Sequence, residues 1–278
     1  MRCLFSSIAW KREQAQVAAQ TLSRYPVAGI EATPGLFAGP LARLGREEMA
    51  KTRSFWEKRG LPLFAMQALL FGSTGLELFG SEARRRDLGA YLKMVFKVAG
   101  QLGIGPLVFG SPKNRRRGGL PMAEAFPIAV EFFARLAPYA AAEGCTLCIE
   151  ANAQAYDCDF LCTHTEVAEL IKAVGHEGLG LQVDTGVMLM NGETPEDLSR
   201  ILSAYALTPA HVHISAPFLE PVANLDREFH GRLCALLKTI GYDGFISIEM
   251  GFPGADDVEA RMADALAQVC EVYGGGQS

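Results

Sequence analysis

Short runs of apolar and β-branched residues recur along the whole chain, and segments with helical apolar spacing separate them. Eight such runs stand at residues 3–10, 28–33, 61–69, 105–111, 146–152, 179–186, 210–216 and 244–250. Between the third and fourth runs, apolar residues recur at three- and four-residue steps, the period of an amphipathic helix, at Leu88, Leu92, Val95, Ala99 and Leu102. The pattern predicts eight strands that alternate with helices.

Several of the predicted helices carry start and stop signals. Thr163 and Glu166 have the spacing of a capping box, in which the two side chains satisfy backbone N–H groups at a helix start. Thr194 followed by Pro195 places a capping side chain before a proline at the first helical position. Glycines stand where four helices should end, at Gly103, Gly144, Gly175 and Gly241.

The regular spacing of the strands favours one architecture. Consecutive strands begin about 34 residues apart on average, close to the roughly 30-residue unit of an eight-unit barrel. We therefore expect an α/β fold with a single (β/α)8 TIM barrel over residues 1–273, followed by a flexible tail, GGGQS, at 274–278. An open doubly wound sheet is the alternative, but it would more usually carry a glycine-rich phosphate loop after its first strand, and SSIAWKRE contains none.

Composition and charge exclude several classes of partner. The chain is 49% hydrophobic and 21% charged, as in ordinary globular proteins, and its net charge of -5 provides no basic field for a nucleic-acid backbone. No segment reaches eighteen uninterrupted apolar residues, and the N-terminal stretch lacks a cleavage-site pattern. We expect a cytoplasmic protein that binds neither nucleic acid nor membrane.

Seven cysteines, an odd number, fit reduced thiols rather than a disulfide framework. Cys145 and Cys148, with Cys158 and Cys162 further on, superficially have the spacing of a zinc site. In a strand, however, the side chains of Cys145 and Cys148 point to opposite faces and cannot share one ion. Core cysteines are the favoured interpretation.

Two of the five histidines stand one residue apart in the seventh predicted strand, AHVHISA. Because side chains alternate between the faces of a strand, His211 and His213 must face the same space. Taken alone, the pair would be read as hydrogen-bonded core histidines.

The neighbouring strands change this interpretation. In a barrel of this kind, chemistry belongs at the C-terminal ends of the strands. Strands five to eight each bring one metal-capable side chain to that rim, at Glu150, Asp184, His213 and Glu249. Three converging carboxylates repel one another unless a cation is bound. This oxygen-rich set predicts one divalent ion, with Mn²⁺ or Mg²⁺ favoured and Co²⁺ or Zn²⁺ acceptable.

The motifs IEAN, QVDTG, HVHIS and SIEM, at these separations on strands five to eight, resemble the sugar phosphate isomerase/epimerase superfamily. These are the xylose isomerase-like TIM barrels, which include ketose 3-epimerases. The resemblance implies that Glu150, Asp184, His213 and Glu249 hold one metal ion. His211 then lies one layer deeper on the same face, where it could orient a ligand or touch substrate.

The sequence departs from the ketose 3-epimerases at two positions that contact substrate in that group. Val187 stands where many members have a histidine, three residues after the aspartate, and Leu219 stands where an arginine is expected. These changes predict a more apolar pocket, suited to a substrate with fewer hydroxyls or with a bulkier aglycone.

Other rim residues are candidates for contacts with a sugar or polyol substrate. Asn152 shares the inward face of Glu150, Gln67 ends the third strand, and Lys113 follows the fourth. Glu31, at the end of the second strand, could bind a hydroxyl or satisfy a loop.

Further polar residues in loops and helices are open to more than one interpretation. Arg115 to Arg117 could meet a substrate phosphate or form a solvated basic loop. Tyr156 lies in a loop that could cover the site, His164 is expected at a helix end, and His230 on the surface of a helix.

The resemblance implies a metal-dependent isomerase or epimerase that acts on a ketose-like sugar through an enediolate. Glu150 and Glu249, on opposite sides of the bound substrate, would act as its acid/base pair. A lyase that expels a leaving group with the same residues remains an alternative, as does a non-catalytic sugar-binding subunit; whether the chain forms a homo-oligomer also stays open. An apurinic-site endonuclease shares the barrel but needs a three-metal cluster with histidines from strands three and four, and no histidine precedes His164.

Overall fold

Eight parallel strands close into a barrel in the computed structural model, which describes residues 1–274. Each strand pairs with the next along the chain, and the eighth pairs with the first. The strands are β1 (Arg2–Ser6), β2 (Gly29–Ala32), β3 (Leu63–Met66), β4 (Pro106–Phe109), β5 (Thr146–Glu150), β6 (Leu179–Asp184), β7 (Pro209–Ser215) and β8 (Phe245–Glu249). The predicted (β/α)8 barrel is confirmed. Residues 275–278 of the predicted tail lie outside the described residues.

Helices cover the outside of the barrel. Within residues 1–274 they are α1 (Ala15–Leu22), α2 (Arg46–Glu57), α3 (Glu82–Leu102), α4 (Met122–Ala142), α5 (His164–Val174), α6 (Thr185–Asn191), α7 (Pro195–Tyr205), α8 (Arg227–Thr239) and α9 (Val258–Tyr273). The apolar face predicted for α3 is buried along its whole length. None of the described helices combines the length and apolarity that a bilayer crossing needs.

Local capping explains where several helices begin and end. Thr194 and Asp197 form a reciprocal capping box at α7, and Pro195 occupies its first turn. At α5 the Thr163 hydroxyl accepts from Glu166 N at 3.2 Å, but the Glu166 carboxylate accepts from Cys162 N instead of from Thr163. All four predicted terminal glycines have left-handed backbones, with φ between 62° and 75°.

The barrel interior changes character from one end to the other. Near the N-terminal ends of the strands, Leu4, Ala65 and Phe245 form a small apolar cluster, and the Phe64 and Phe245 rings stack at 4.8 Å. Closer to the C-terminal ends the interior is polar, with the fully buried side chains of Ser6, Glu31, Gln182, His211, His213 and Ser247. This polar layer forms the floor under the rim.

The cysteines are free thiols in the described chain. The Cys145 thiol donates to the carbonyl of Ile104 at 3.2 Å, and the Cys148 thiol donates to that of Thr146 at 3.4 Å. No group of three or more metal-capable side chains in residues 1–274 includes a cysteine. The predicted structural role of these residues is consistent with this placement.

Close packing of α4 against the start of β6 gives a first testable prediction. A Cβ added at Gly178 would lie 2.0 Å from the Ala137 carbonyl oxygen, whereas one added at Gly105, just before β4, meets nothing within 4 Å. An alanine at position 178 would force the backbone around Ala137 to move. Gly178→Ala should therefore lower the free energy of unfolding by about 1–3 kcal/mol. Gly105→Ala should stay within about 1 kcal/mol of the wild type. Urea denaturation of both variants measures the difference, and equal stabilities would contradict the packing.

Candidate metal centre and active site

Four side chains from consecutive strands meet at the C-terminal rim. Glu150, Asp184 and Glu249 end β5, β6 and β8, and His213 lies two residues before the end of β7. One ligand atom from each lies within 4.8 Å of all the others. His213 Nδ1 lies 3.1 Å from Glu249 Oε2, 3.4 Å from Glu150 Oε1 and 3.8 Å from Asp184 Oδ2. The structure therefore brings together all four residues of the predicted ligand set.

The three carboxylates are nearly buried and electrostatically strained. Their side chains are 14%, 6% and 9% exposed for Glu150, Asp184 and Glu249 respectively. Burial, reinforced by the negative charges of Glu150 and Glu249, raises the pKa of Asp184 to about 7. Burial also raises the pKa of Glu249. A proton or a cation must compensate this cluster at neutral pH.

The donor set fits a divalent cation. His213 Nδ1 is buried and makes no hydrogen bond, although it faces all three carboxylates. The other ring nitrogen, Nε2, lies 3.0 Å from Glu31 Oε1. An imidazole nitrogen without a hydrogen bond, surrounded by carboxylate oxygens, is a donor set that Mn²⁺, Co²⁺ and Zn²⁺ accept.

The aspartate is fixed more firmly than the glutamates. Asp184 Oδ1 accepts from Val187 N and Oδ2 from Ser215 Oγ, both at 2.7 Å. Glu150 Oε2 accepts one hydrogen bond, at 3.2 Å, from Asn152. The Glu249 carboxylate contacts the His213 ring at 3.1 Å. Both glutamates therefore retain lone pairs for a ligand or a proton.

The arginines of the basic loop after β4 make contacts with the segment after β5. Arg115 is fully buried, and its guanidinium donates to the Glu150 carbonyl at 2.7 Å and to the Leu161 carbonyl at 3.4 Å. Arg116 pairs with the Asp157 carboxylate. Arg117 N donates to the Asp159 carboxylate at 2.8 Å. For Arg115 the solvated interpretation is wrong, because the loop after β5 supplies its partners. Arg116 remains exposed while it pairs with Asp157.

The predicted substrate residues are placed at different depths. Asn152 and Gln67 are 7% and 4% exposed; Asn152 contacts the Glu150 carboxylate, and Gln67 donates to Ser6 Oγ. Lys113 is exposed and lines a cleft of about 650 Å³ between the loops after β3 and β4. His211 is fully buried below the rim, with Nε2 3.2 Å from Glu31 Oε1.

Two further histidines lie deeper than the sequence indicates. His230 is 1% exposed and shares a 2.9 Å hydrogen bond with the Tyr273 hydroxyl, so the predicted surface position is wrong. His164 begins α5, as predicted, but it is buried, contacts Glu193 and accepts from Asp184 N at 3.5 Å. It therefore supports the strand end that carries the aspartate.

An aromatic pair borders the site. The Tyr156 and Phe218 rings are 5.5 Å apart, and Phe218 N donates to the Tyr156 hydroxyl at 2.7 Å. Phe218 and Leu219 both have left-handed backbones, with φ of 58° and 56°, a conformation that costs free energy in residues other than glycine. A hydrogen bond of 2.8 Å from Gly251 N to the Leu219 carbonyl ties this loop to the one after β8, beside the strand end that carries Glu249.

Val187, in contrast, contributes little open surface to the site. Its side chain is 3% exposed and belongs to the hydrophobic core, while its backbone N–H holds Asp184. Val187 therefore serves the site through its backbone N–H.

Comparison with known proteins places this geometry in a family. The profile of the family described as xylose isomerase-like TIM barrel matches residues 20–271. No curated protein matches the chain in sequence. Among solved structures, D-psicose 3-epimerase from Clostridium cellulolyticum H10 with D-tagatose has a TM-score of 0.79 and 15% identity, over 98% of this chain and 99% of that chain.

Two other solved structures are similar over the same length. The 3-keto-D-glucoside 4-epimerase from E. coli has a TM-score of 0.75 and 15% identity, over 98% of this chain and 99% of that chain. The IOLI protein with a bound zinc atom has a TM-score of 0.69 and 16% identity, over 100% of both chains. Identities this low establish a shared fold. Because the family profile spans nearly the whole barrel, the chain belongs to the xylose isomerase-like TIM barrel family.

Proposed function

We propose that this protein is a divalent-metal-dependent isomerase or epimerase that acts on a ketose-like sugar or a keto-sugar derivative. The observation that carries the proposal is the cluster of Glu150, Asp184, Glu249 and the unpartnered His213 Nδ1 at the rim of the barrel. Similar structures include epimerases whose names specify D-psicose and a 3-keto-D-glucoside. The proposal therefore rests on a candidate cation site and on the sugar epimerases among the similar structures.

The ligand set favours a hard or borderline ion. Three carboxylates and one imidazole suit Mn²⁺ or Mg²⁺, with Co²⁺ or Zn²⁺ as alternatives, and a zinc atom is bound in the similar IOLI protein. When bound, such an ion supplies Lewis acidity, which makes a C–H bond next to a substrate carbonyl more acidic.

The hydrogen bonds of the three carboxylates suggest different roles, a structural one for Asp184 and proton transfer for Glu150 and Glu249. Asp184 has both oxygens committed to hydrogen bonds, so its position is fixed even though burial raises its pKa. Glu150 and Glu249 come from β5 and β8, on either side of Asp184 and His213 around the ring. We assign them as the acid/base pair, one removing a proton from one face of the substrate while the other returns a proton to the opposite face.

The surroundings of the cluster suggest how substrate is selected. Asn152, Gln67 and Lys113 are the polar groups that we assign to substrate hydroxyls, while Tyr156 and Phe218 offer apolar surface beside the carboxylates. Burial raises the pKa of Tyr156, and the charges of the three rim carboxylates act in the same direction, which places its hydroxyl within their field. A substrate with an apolar substituent next to its sugar ring would use both kinds of surface.

Loss of a ligand should remove the metal ion. We expect wild-type protein purified without chelator to contain one divalent ion per chain, and Asp184→Ala and His213→Ala to lose most of it, because each removes a direct donor. The control is Glu177→Ala, which removes an exposed carboxylate outside the cluster. Elemental analysis of the four proteins is the measurement. Equal metal content in all of them would contradict the ligand assignment.

Replacing either proposed acid/base residue by glutamine should separate binding from turnover. Glu150→Gln and Glu249→Gln keep the size and one oxygen donor but remove basicity, so each should abolish turnover with a smaller loss of metal than the alanine variant causes. Proton NMR in D₂O on a panel of ketoses, keto-sugars and their phosphates follows exchange of the α-proton.

The same spectra distinguish the competing chemistries. Each glutamine variant should fail to exchange the proton on its own side of the substrate. If both variants exchange α-protons at the wild-type rate, the two-glutamate assignment is wrong. Exchange in the wild type that is accompanied only by departure of a leaving group would replace the epimerase by the lyase.

The apolar rim should set the substrate class. We expect D-fructose and D-tagatose to be turned over poorly, and a keto-sugar with an apolar aglycone to be turned over better. Phe218→Ala should lower kcat/KM for the latter by roughly tenfold, the effect of losing about 1.4 kcal/mol of apolar contact. Tyr139→Ala, an exposed aromatic residue on α4, is the matched control. Efficient turnover of the plain ketoses by the wild type would contradict the prediction.

A further inference from the structure

Glu31 lies at the centre of the polar layer below the candidate metal site. It has no exposed surface, yet its carboxylate contacts β7 and β8, neither of which pairs with β2. Oε1 lies 3.2 Å from His211 Nε2 and 3.0 Å from His213 Nε2, and Oε2 accepts from Ser247 Oγ at 2.6 Å. The carboxylate therefore has three donors, two of which are ring nitrogens of the histidine pair.

The chemistry of a carboxylate fixes the direction of these hydrogen bonds. An ionised carboxylate only accepts, so both Nε2 atoms must carry hydrogen. In a neutral imidazole the other nitrogen then holds a lone pair. For His213 that nitrogen is Nδ1, the atom that faces Glu150, Asp184 and Glu249 without a hydrogen bond.

We propose that Glu31 is a positioning residue that selects the Nε2–H tautomer of His213 and fixes its ring, so that Nδ1 is presented to the metal ion. His211 is the second donor to the same oxygen and holds Glu31 in place from its buried position below the rim. This inference rests on the proposed function, because it assumes that the rim cluster binds a cation. It also explains why the strand carries two histidines.

A second ion is the competing explanation, since Glu31, His211 and His213 also form a compact group of three metal-capable side chains. The separations of 3.2 and 3.0 Å are those of N–H···O hydrogen bonds. All three side chains are fully buried, which leaves no side open for water to complete a coordination shell. The hydrogen-bonded arrangement accounts for the geometry without an ion.

The first test is the affinity for Mn²⁺, measured by calorimetric titration of the full-length, metal-stripped protein. Glu31→Gln keeps the volume of the side chain but removes its charge and one acceptor, so Mn²⁺ affinity should fall by roughly 10–100-fold. Ser247→Ala is the matched control, because it removes a buried hydrogen bond to Oε2 and leaves both histidine contacts. We expect it to weaken binding by less than about threefold, well below the loss typical of a partner that orients a metal ligand.

The second test observes the tautomer directly in the wild-type protein, and variants serve only to assign its signals. The chain has five histidines, so ¹⁵N-histidine labelling gives few signals, which histidine substitutions assign. In protein loaded with Zn²⁺, a diamagnetic probe, His213 should show a protonated Nε2 and a metal-bound Nδ1. His211 should show a protonated Nε2 and no response in Nδ1 that indicates a bound metal.

The outcomes separate the two hypotheses. Wild-type Mn²⁺ affinity in a folded Glu31→Gln variant would overturn the role of Glu31, and so would an equal loss in Ser247→Ala. A metal-bound Nε2 in His213, or two ions per chain, would overturn it in favour of the second ion. Failure of the wild type itself to bind any divalent ion would instead contradict the proposed function.

Discussion

Mutual repulsion among three nearly buried carboxylates is the constraint on which the upper half of this barrel depends. Glu150, Asp184 and Glu249 lie close enough that one donor atom from each falls within 4.8 Å of the others. Burying several anions together costs free energy unless hydrogen bonds and a cation compensate them. The surrounding structure supplies the hydrogen bonds: backbone N–H and a serine hydroxyl for Asp184, and an amide for Glu150. The negative charge that these hydrogen bonds leave uncompensated is one that a divalent ion could balance. The donor atoms also lie close enough together to bind one ion.

Contacts distant in sequence keep the strand ends in place against that repulsion. Arg115, from the loop after β4, holds the backbone carbonyls at both ends of the loop after β5, so that the loop and Glu150 are fixed together. The left-handed backbone of Phe218 and Leu219 costs free energy, which the hydrogen bonds to Tyr156 and from Gly251 offset. The loops of this barrel therefore surround the site and also hold its strand ends in place.

The sequence predicts the elements and the rim cluster well because both follow from local periodicity. Alternation along β7 requires His211 and His213 to share a face, and the barrel then carries the ends of four strands to one rim. Arg115 could not be predicted in the same way, because its partners lie 35 and 46 residues away and a basic loop normally remains in water. His230 was misplaced for a similar reason, since its partner Tyr273 comes from α9, 43 residues later.

The histidine pair shows how one alternating strand joins two layers of different chemistry. Side chains two residues apart on β7 point into the same interior. His211 therefore lies one layer below His213, on the same face of the strand. One oxygen of Glu31 on β2 meets the Nε2 atoms of both rings. Because β2 and β7 are separated by β1 and β8 around the ring, this contact crosses the interior. The imidazole at the rim is thereby oriented from beneath, by a group that neither solvent nor substrate can reach.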